Sequence, residues 1–482
     1  MPTLKIDTLA DYNALRQAHW DEIAHARPAE TFFSRGYHRR LREIYALLVS
    51  PGQRVLEVGC GCGDLLAGLK PLAGVGVDFS AEMLARAHEH HPELELVQAD
   101  AHMLDLERTF DSILLSDLVN DAWDVQVVFE RLRANCSADT RLIINVYSRV
   151  YQPLLSLAGV LGLATRTLPQ NWLTPEDVEN LLNLAGFEVI RRQREILLPL
   201  PVPFLSELCN QFLVKIWPFS ALAWTNVFIA RLRPVGGRVE TANQPTVSVI
   251  VPARNEAGNI EDLFARLPEM GARTEIVFVE GHSRDETYAA IERAIRAHPE
   301  RPAVLFKQNG KGKADAVRLG FEKAGGEVLM ILDADLTVRP EDLPRFYKAL
   351  VSGTGEFING VRLVYPMQEQ AMRFLNLIGN KLFSMAFSWL LGQSIKDTLC
   401  GTKVLWKRDY ERIVANRAYF GDFDPFGDYD LIFGAAKQNR KIVDMPIRYQ
   451  ERTYGATNID RWRHGVLLLQ MVLVAAVRLK FI

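Results

Sequence analysis

The stretch that most constrains the fold is Gly326–Leu336, with the sequence GEVLMILDADL. Its five consecutive apolar residues, Val328–Leu332, are too few for a helix and are typical of a strand that is buried on both faces. The strand ends at two carboxylates, Asp333 and Asp335, which are costly to bury unless a cation meets them. An aspartate pair at a strand end can also simply cap the next helix. The alternative is a hard divalent ion that holds a diphosphate, which predicts a metal site at Asp333 and Asp335.

Length and composition restrict the class of protein. At 482 residues the chain is too long for one hydrophobic core, so we expect two domains. A formal net charge of −2 gives no sign of broad affinity for nucleic acid. The five cysteines are irregularly spaced and indicate a reducing compartment without a disulfide framework. The first residues lack the basic region and apolar core of an export signal, so we expect a cytoplasmic protein.

The first half contains a glycine-rich turn between a short apolar strand and a helix, in the sequence RVLEVGCGCGDLLAGL. The turn carries four regularly spaced residues: Glu57, Gly59, Gly61 and Gly63. Glycines there let the backbone approach a ligand closely and leave amides free at the helix start. The next strand ends at Asp78, where a carboxylate can accept hydrogen bonds from both hydroxyls of a ribose, and a third strand ends at Asp100. The pattern indicates a nucleotide or cofactor site.

This run, over about residues 40–195, resembles the class I S-adenosylmethionine-dependent methyltransferases. The resemblance implies a Rossmann-like fold and S-adenosylmethionine as cofactor. It places the methionine part at Gly59–Gly63, the ribose at Asp78 and the adenine amino group beside Asp100. A dehydrogenase has a similar loop, but its turn is tighter and lacks a leading acidic residue such as Glu57. A nucleotide-binding site and a scaffold without activity remain alternatives.

The residue that activates the methyl acceptor is not identified by the sequence. Methyl transfer needs a nucleophile in line with the sulfonium and often a base near it. The candidates are Tyr37, His38, Asn145 and Tyr147. Each of these residues has a structural role as its alternative.

A polar segment rich in glycine and proline, Arg231–Pro245, separates the two halves. We therefore place a first domain at residues 1–232, a linker at 233–245 and a second domain at 246–482. The second half begins with the strand VSVIVPARNEAGNI, continues with EIVFVEGHSRDET, and reaches the aspartate strand through a lysine-rich helix start, NGKGKADAVRLGFEKA.

The order of these parts, over about residues 246–455, resembles the family 2 glycosyltransferases, which have the GT-A fold. The resemblance implies Mg²⁺ or Mn²⁺ at Asp333 and Asp335. It also implies a nucleotide-sugar site formed by six residues: Pro252, Arg254, Glu256, Glu280, Lys313 and Asp333. The family often has two aspartates where this chain has Val279 and Glu280, so the base of the nucleotide stays open.

Two later stretches resemble polyprenyl-phosphate sugar synthases. The run Asp397–Lys403, DTLCGTK, is similar to a stretch of the dolichyl-phosphate glucose and mannose synthases, and Gly427–Leu431 matches a late acidic motif. The resemblance implies Asp397 and Asp428 as carboxylates on the acceptor side, in addition to Asp335 as a catalytic residue. A structural role remains the alternative for Asp397 and Asp428, and a phosphate acceptor needs no base because it is already ionised.

The segment that contains Arg452 and Thr457 resembles the element that grips phosphate in polyprenyl-phosphate glycosyltransferases. The resemblance implies that both residues bind the acceptor phosphate. Asn458 stands where the family has lysine, which weakens this implication.

Two apolar segments, Arg373–Gly392 and Gly465–Val477, suit a lipid surface, but neither has the roughly 20 apolar residues that span a bilayer. They predict peripheral contact with the inner face of the cell membrane. The alternative is a pair of buried helices and a soluble acceptor.

Together these patterns predict an α/β protein of two domains, a Rossmann-like methyltransferase followed by a GT-A glycosyltransferase. The expected partners are a nucleotide sugar and a polyprenyl-phosphate or glycan acceptor, without nucleic acid. A half that only binds ligand, or a small soluble acceptor, is the alternative.

Overall fold

The computed structural model describes residues 8–26, 32–153, 168, 170–234, 244–362, 364, 374–419, 429–450, 452, 454 and 461–481. The chain divides into two compact units, Met1–Arg233 and Pro234–Ile482. Each unit contains a seven-stranded sheet. The predicted fold class, two successive mixed α/β domains, is confirmed.

The first unit is built on a mostly parallel sheet. Its strands are β1 (Arg54–Val58), β2 (Ala73–Asp78), β3 (Glu95–Gln98), β4 (Phe110–Ser116), β5 (Cys136–Tyr147), β6 (Phe187–Glu195) and β7 (Thr225–Leu232). They lie in the order β3-β2-β1-β4-β5-β7-β6. The first five strands are parallel, and β7 runs antiparallel to both of its neighbours.

Helices cover both faces of this sheet. They are α1 (Leu9–Ala26), α2 (Phe32–Leu48), α3 (Asp64–Gly68), α4 (Ala81–His90), α5 (Val125–Leu132) and α6 (Pro175–Leu184), and a helical turn, Leu205–Glu207, continues as a π-helix at Leu208–Phe212. Successive apolar side chains of β1 enter different cores: Leu56 and Val58 lie in one, and Val55 in the other. Burial on both faces explains the near-continuous apolar runs of these strands.

The second unit has a mixed sheet. Its strands are β8 (Val247–Ala253), β9 (Thr274–Glu280), β10 (Ala303–Lys307), β11 (Val328–Ile331), β12 (Phe357–Val361), β13 (Lys403–Trp406) and β14 (Ile442–Pro446). They lie in the order β10-β9-β8-β11-β13-β12-β14, and β13 is antiparallel to β11 and β12. The helices are α7 (Ile260–Arg266), α8 (Thr287–Ala297), α9 (Lys313–Lys323), α10 (Leu343–Val351), α11 (Phe374–Leu391), α12 (Lys407–Ala415), α13 (Tyr429–Lys437) and α14 (Arg461–Ala475).

The strand that precedes the aspartate pair is buried on both faces, as predicted. Val328 and Met330 belong to one core, whereas Leu329 and Ile331 belong to the other. Strand β11 therefore fixes the backbone from which Asp333 and Asp335 emerge. In the parallel parts of both sheets, the carboxyl ends of neighbouring strands meet at one edge, which is where ligands bind in such folds.

None of the helices within the described ranges has the length and apolarity required to cross a membrane.

Candidate functional sites

The glycine-rich turn after β1 forms the first candidate site. Gly59, Gly61 and Gly63 have φ of 76°, 52° and 75°, a region that glycine adopts without strain. The amides of Gly59 and Cys60 donate to the carbonyl of Val77 at 2.7 and 3.0 Å, which ties the turn to β2. A Cβ atom added at Gly61 would meet nothing within 4 Å. At Gly61 the turn therefore presents bare backbone to open space.

Asp78, the last residue of β2, holds this turn in place. Its Oδ2 accepts a hydrogen bond from the Gly61 amide at 2.9 Å, and its Oδ1 accepts one from the Ser80 amide at 3.0 Å. Burial raises the pKa of Asp78 above its ordinary value. A carboxylate accepts about four hydrogen bonds, so the arrangement is compatible with donation from ribose hydroxyls as well.

Glu57 lies beneath the turn and is 2% exposed. Its Oε2 is buried and has no hydrogen-bond partner in the structure. Burial raises the pKa of Glu57 to about 8. A buried oxygen without a hydrogen-bond partner costs about 1–3 kcal/mol. The bare turn and the orphaned carboxylate together fit the ammonium and carboxylate of the methionine part of S-adenosylmethionine.

Asp100, after β3, already has protein donors on both oxygens. Its Oδ1 accepts from the His102 amide at 3.0 Å and pairs with His102 Nδ1 at 2.7 Å. Its Oδ2 accepts from the side-chain amide of Asn13 on α1. Contact between Asp100 and an adenine amino group would therefore involve sharing or exchange with Asn13.

Helix α1 lies along this edge of the sheet. Arg16 Nε and Trp20 Nε1 donate to the two oxygens of Asp121, at 3.0 and 3.1 Å. The Ser80 hydroxyl donates to Asp21 at 2.5 Å. The helix thus contacts the turns that follow β2, β3 and β4, and it covers the edge where the cofactor is expected.

The four candidates for the methyl-acceptor side converge on Asp117, directly after β4. Tyr37 Oη donates to Asp117 Oδ1 at 2.8 Å, and the Asn145 side-chain amide donates to the same oxygen. The rings of Tyr147 and His38 lie 5.9 and 5.3 Å from that of Tyr37. Sequence reasoning did not single out Asp117, although the end of the apolar run SILLSD was a usable signal.

The second candidate site surrounds the aspartate pair. Lys313 Nζ, at the start of α9, lies 2.6 Å from Asp333 Oδ1. Asp335 Oδ1 accepts from the amide and hydroxyl of Thr337 at 3.1 and 2.8 Å, and its Oδ2 accepts from Arg452 at 2.7 Å. The structure thus brings together Lys313, Asp333, Asp335 and Arg452.

Glu256 joins the same cluster from the turn after β8. Arg452 donates to its Oε1 at 2.9 Å. Burial raises the pKa of Glu256 to about 7, although the charge of Arg452 acts in the opposite direction. Arg452, predicted to bind the acceptor phosphate, therefore lies between two acidic residues, Glu256 and Asp335.

The remaining nucleotide-sugar candidates lie at the neighbouring strand ends. Pro252 pairs in register with Val279, and the next pair is Ala253 with Glu280. Glu280 is 3% exposed and accepts a hydrogen bond from the Ser283 amide. Arg254 is exposed and contacts Gly281: a Cβ added there would lie 3.5 Å from that of Arg254.

Gly401, from the DTLCGTK run, packs directly on the ion pair of Lys313 and Asp333. A Cβ added at Gly401 would lie 2.2 Å from both Asp333 Oδ2 and Lys313 Nζ. Such a distance is impossible for real atoms, so these two side chains hold their positions only because residue 401 has no side chain.

Asp397 is buried beside this site and has no exposed surface. Its oxygens accept from Arg362 Nε and an Arg362 terminal nitrogen at 2.7 and 2.9 Å, from Asn380 at 3.0 Å, and from the amides of Arg362 and Leu399. Burial alone would raise its pKa, but the Arg362 guanidinium holds the pKa of Asp397 at about 2. Five donors leave little capacity to accept a substrate proton, which favours a role in positioning Arg362.

Two predicted site residues, Asp428 and Thr457, lie outside the residues that the structure describes.

The acidic residues of the second site fit a metal that binds together with a diphosphate. Within the described parts of the chain, no group of three or more His, Cys, Asp or Glu side chains could hold a metal ion. Mg²⁺ commonly uses one or two carboxylates and takes its other ligands from substrate phosphates and water. Asp333 and Asp335 suffice for such a site once their contacts with Lys313 and Arg452 are exchanged.

Comparison with known families agrees with this division of the chain. Residues 55–137 match the family described as "Methyltransferase domain". Residues 248–412 match the family described as "Glycosyl transferase family 2".

Curated relatives align with the second half. A dolichol-phosphate mannosyltransferase of Pyrococcus furiosus is 30% identical over 218 residues, which cover 44% of this chain and 59% of the relative. A polyprenol monophosphomannose synthase of Mycolicibacterium smegmatis is 28% identical over 218 residues, 44% of this chain and 80% of the relative. An undecaprenyl-phosphate 4-deoxy-4-formamido-L-arabinose transferase of Pseudomonas aeruginosa is 31% identical over 230 residues, 47% of this chain and 64% of the relative. The chain thus spans less than two thirds of two of these three proteins.

Two solved structures each resemble part of the chain. Magnesium protoporphyrin IX methyltransferase from Synechocystis, with bound S-adenosylhomocysteine, is 16% identical with a TM-score of 0.34, and covers 46% of this chain and 99% of its own. A mannosyltransferase from Pyrobaculum calidifontis, in complex with GDP-mannose and Mn²⁺, is 22% identical with a TM-score of 0.36, and covers 49% of this chain and 66% of its own. Residues 55–137 are thus similar to a methyltransferase domain, and residues 248–412 are similar to the family 2 glycosyl transferases.

Proposed function

We propose that the second domain transfers a sugar from a nucleotide sugar to a polyprenyl phosphate or a cell-surface glycan. We also propose that the first domain transfers a methyl group from S-adenosylmethionine to a molecule of the same pathway. The observation that carries the first part is the cluster of Glu256, Asp333 and Asp335 with Lys313 and Arg452. The names of the curated relatives support a polyprenyl-phosphate acceptor.

The charges of this cluster suit a diphosphate. Asp333 and Asp335 would hold Mg²⁺ or Mn²⁺, and the metal would neutralise diphosphate charge and stabilise the leaving group. Lys313 and Arg452, which pair with these carboxylates, would then turn toward phosphate oxygens. Arginine binds phosphate with two parallel hydrogen bonds, and lysine binds it as a point charge. Pro252, Arg254 and Glu280, at the neighbouring strand ends, would bind the nucleoside.

The acceptor side is supported by Arg362. Asp397 fixes this guanidinium through two hydrogen bonds. The Arg362 side chain is 11% exposed. A guanidinium held in one orientation is well suited to bind an anionic acceptor. An acceptor phosphate is already a nucleophile, so Asp397 would act by positioning Arg362 and no proton acceptor would be required.

An exposed apolar face supports peripheral contact with the inner face of the membrane. Helices α11 and α14 pack against each other. Large apolar side chains with helical spacing are exposed on both: Leu382, Met385 and Trp389 on α11, and Val466, Leu469 and Leu473 on α14. The Lys480 ammonium lies 5.2 Å from the ring of Trp389. Apolar side chains with a cation at the rim are typical of helices that lie in the membrane interface.

In the first domain, the proposed cofactor site rests on Glu57, the glycine turn and Asp78. S-adenosylmethionine would supply an electrophilic methyl group on a sulfonium. The chain would hold the methionine part at Gly59–Gly63, the ribose at Asp78 and the adenine near Asp100. Helix α1 would exclude water from this edge of the sheet.

Ligand titration of the whole protein tests both halves. S-adenosylhomocysteine should bind at one site, and a nucleoside diphosphate with Mn²⁺ should bind at another. Neither ligand should displace the other. Flotation with liposomes tests the membrane contact. Failure to bind S-adenosylhomocysteine would refute the cofactor site, and protein that stays at the bottom of the gradient would refute the membrane contact.

A further inference from the structure

The first domain contains a cluster of polar side chains around Asp117 that its cofactor site does not use. Asp117 follows the last residue of β4 and is only partly exposed. Its backbone is in the left-handed region, with φ of 58°, which is uncommon for a residue other than glycine. Such conformations persist where the surrounding structure enforces them, and they concentrate at functional sites.

The donors described for this carboxylate are neutral. Tyr37 Oη and the Asn145 side-chain amide both donate to Oδ1. Burial raises the pKa of Asp117, and the hydrogen bond from Tyr37 and the charge of His38 only partly oppose this. A carboxylate with a raised pKa is a stronger base than an exposed aspartate.

The cluster adjoins the proposed cofactor site. Strands β1 and β4 are parallel neighbours, with Glu57 in register with Leu114. Leu118, the residue after Asp117, packs on the glycine turn: a Cβ added at Gly59 would lie 3.0 Å from its Cδ1. Asp117 therefore begins the turn that faces the glycine turn across the sheet edge.

Tyr45 connects the two groups of residues. Its hydroxyl donates to Asn145 Oδ1 at 2.7 Å. Besides burial, both Asp117 and Glu57 raise the pKa of Tyr45, so their carboxylates are near this one phenol. Through Asn145, the hydroxyl of Tyr45 belongs to the same hydrogen-bond network as Tyr37 and Asp117.

Among these side chains, Asp117 is the one suited to accept a proton. Burial raises the pKa of both Tyr37 and Tyr147, so the two phenols stay protonated at neutral pH. An amide such as that of Asn145 is not a base. His38 is exposed, on the next position of α2.

We propose that Asp117 receives the proton of the methyl acceptor, and that this acceptor is a hydroxyl or amine compound. The inference rests on the proposed cofactor site. The nucleophilic oxygen or nitrogen forms a bond to the methyl carbon while the carbon–sulfur bond breaks and its electron pair stays on sulfur. The proton of the nucleophile passes to Asp117, whose carboxylate becomes a carboxylic acid. Tyr37 and Asn145 orient the carboxylate.

The proposal can be tested without knowing the acceptor. Sinefungin carries a protonated amine where S-adenosylmethionine has its methylsulfonium, so a carboxylate that faces the transferred methyl group should bind that amine. Titration calorimetry on the whole protein would compare sinefungin with S-adenosylhomocysteine. Wild type should bind sinefungin more tightly. Asp117→Asn should weaken sinefungin binding roughly 10- to 100-fold, as expected for loss of a hydrogen bond between charged groups, and leave S-adenosylhomocysteine affinity unchanged.

Asp111→Asn is the matched control, since Asp111 lies on the same strand but at its opposite end, where it pairs with Arg54. It should not change the ratio of the two affinities. A ratio that is equally unaffected by Asp117→Asn would overturn the proposal. If wild type binds neither ligand, the cofactor site itself is wrong, which is a separate failure.

A second measurement covers the case in which Asp117→Asn does not fold. Because protonation of Asp117 removes its charge, the preference of wild type for sinefungin should fall as the pH is lowered toward the raised pKa of Asp117. Glu57 acts on the methionine part, which both ligands share, and His38 is the other charged group that acts on Asp117. Tyr37→Phe retains the carboxylate and should retain a preference that still depends on pH. A preference that is independent of pH in both proteins would contradict the assignment.

Discussion

The substitution Gly401→Ala tests whether the side chains of Lys313 and Asp333 position the sugar donor. The added methyl group would lie 2.2 Å from Asp333 Oδ2 and Lys313 Nζ, whereas ordinary contact begins at 3.4 Å. Both side chains must therefore move by about 1.2 Å. The φ angle of Gly401 is outside the left-handed region, so the effect is steric and not a matter of backbone strain.

The expected cost to stability is small. Both side chains of the pair are about 30% exposed, and an ion pair at such a site contributes about 0–1 kcal/mol. The expected cost to activity is large, because misplacing reacting groups by about 1 Å can lower a rate roughly 100-fold. Hydrolysis of the nucleotide sugar should therefore fall by about two orders of magnitude, while the free energy of unfolding changes by about 1 kcal/mol.

Gly379→Ala is the matched control. A Cβ at Gly379, inside helix α11, would meet nothing within 4 Å. Alanine in a helix loses less conformational entropy on folding than glycine, so this variant should be stabilised by about 0.4–1 kcal/mol with unchanged hydrolysis. If Gly401→Ala hydrolyses the donor as fast as Gly379→Ala does, Lys313 and Asp333 do not position the donor.

Three further predictions concern the acidic residues. Asp335→Ala should abolish metal-dependent sugar transfer without changing the calorimetric affinity for S-adenosylhomocysteine; loss of both would contradict the independence of the sites. Mn²⁺ should bind measurably by calorimetry only when a nucleoside diphosphate is present, since Asp333 and Asp335 supply two ligands, and tight binding of the metal alone would contradict this account. The pKa of Glu57 is about 8 in the fold against an ordinary 4.5, so the folded state holds this proton more tightly than the unfolded chain. Its contribution to the free energy of unfolding is therefore complete below pH 4.5 and is lost as the pH rises through 8, by up to about 4–5 kcal/mol. In Glu57→Gln, this loss of unfolding free energy between pH 4.5 and 8 should disappear from the unfolding transition that S-adenosylhomocysteine stabilises. If the free energy of unfolding depends on pH in the variant as it does in wild type, Glu57 does not have the raised pKa.

The two domains could be predicted because local patterns determine them. The strand before Asp333 is buried on both faces. Such a strand has a continuous apolar sequence, because neither face needs polar side chains that contact water. The turn at Gly59–Gly63 needs three residues in the left-handed region, so its glycines are visible in any sequence. These signals depend on neighbours along the chain, and family resemblance adds the expected ligands.

The roles of single side chains could not be read in the same way. Asp397 looks like a catalytic carboxylate in sequence, but four of its five donors come from the distant residues Arg362 and Asn380. The contacts of Arg452 with Asp335 and Glu256 join residues that are far apart in the chain. Asp117 was not predicted as a site residue because its partners, such as Tyr37 on α2, are far away in the chain. Long-range contacts of this kind are set by the tertiary fold.

The most direct test of the central claim is a transfer assay with the whole protein. A panel of nucleotide sugars would be supplied with Mn²⁺ or Mg²⁺, with and without a short polyprenyl phosphate, and release of the nucleoside diphosphate would be measured. The account predicts that one donor is turned over and that its turnover rises when the lipid is present. If no donor is turned over with the lipid, the assignment of the second domain as a polyprenyl-phosphate sugar transferase is contradicted.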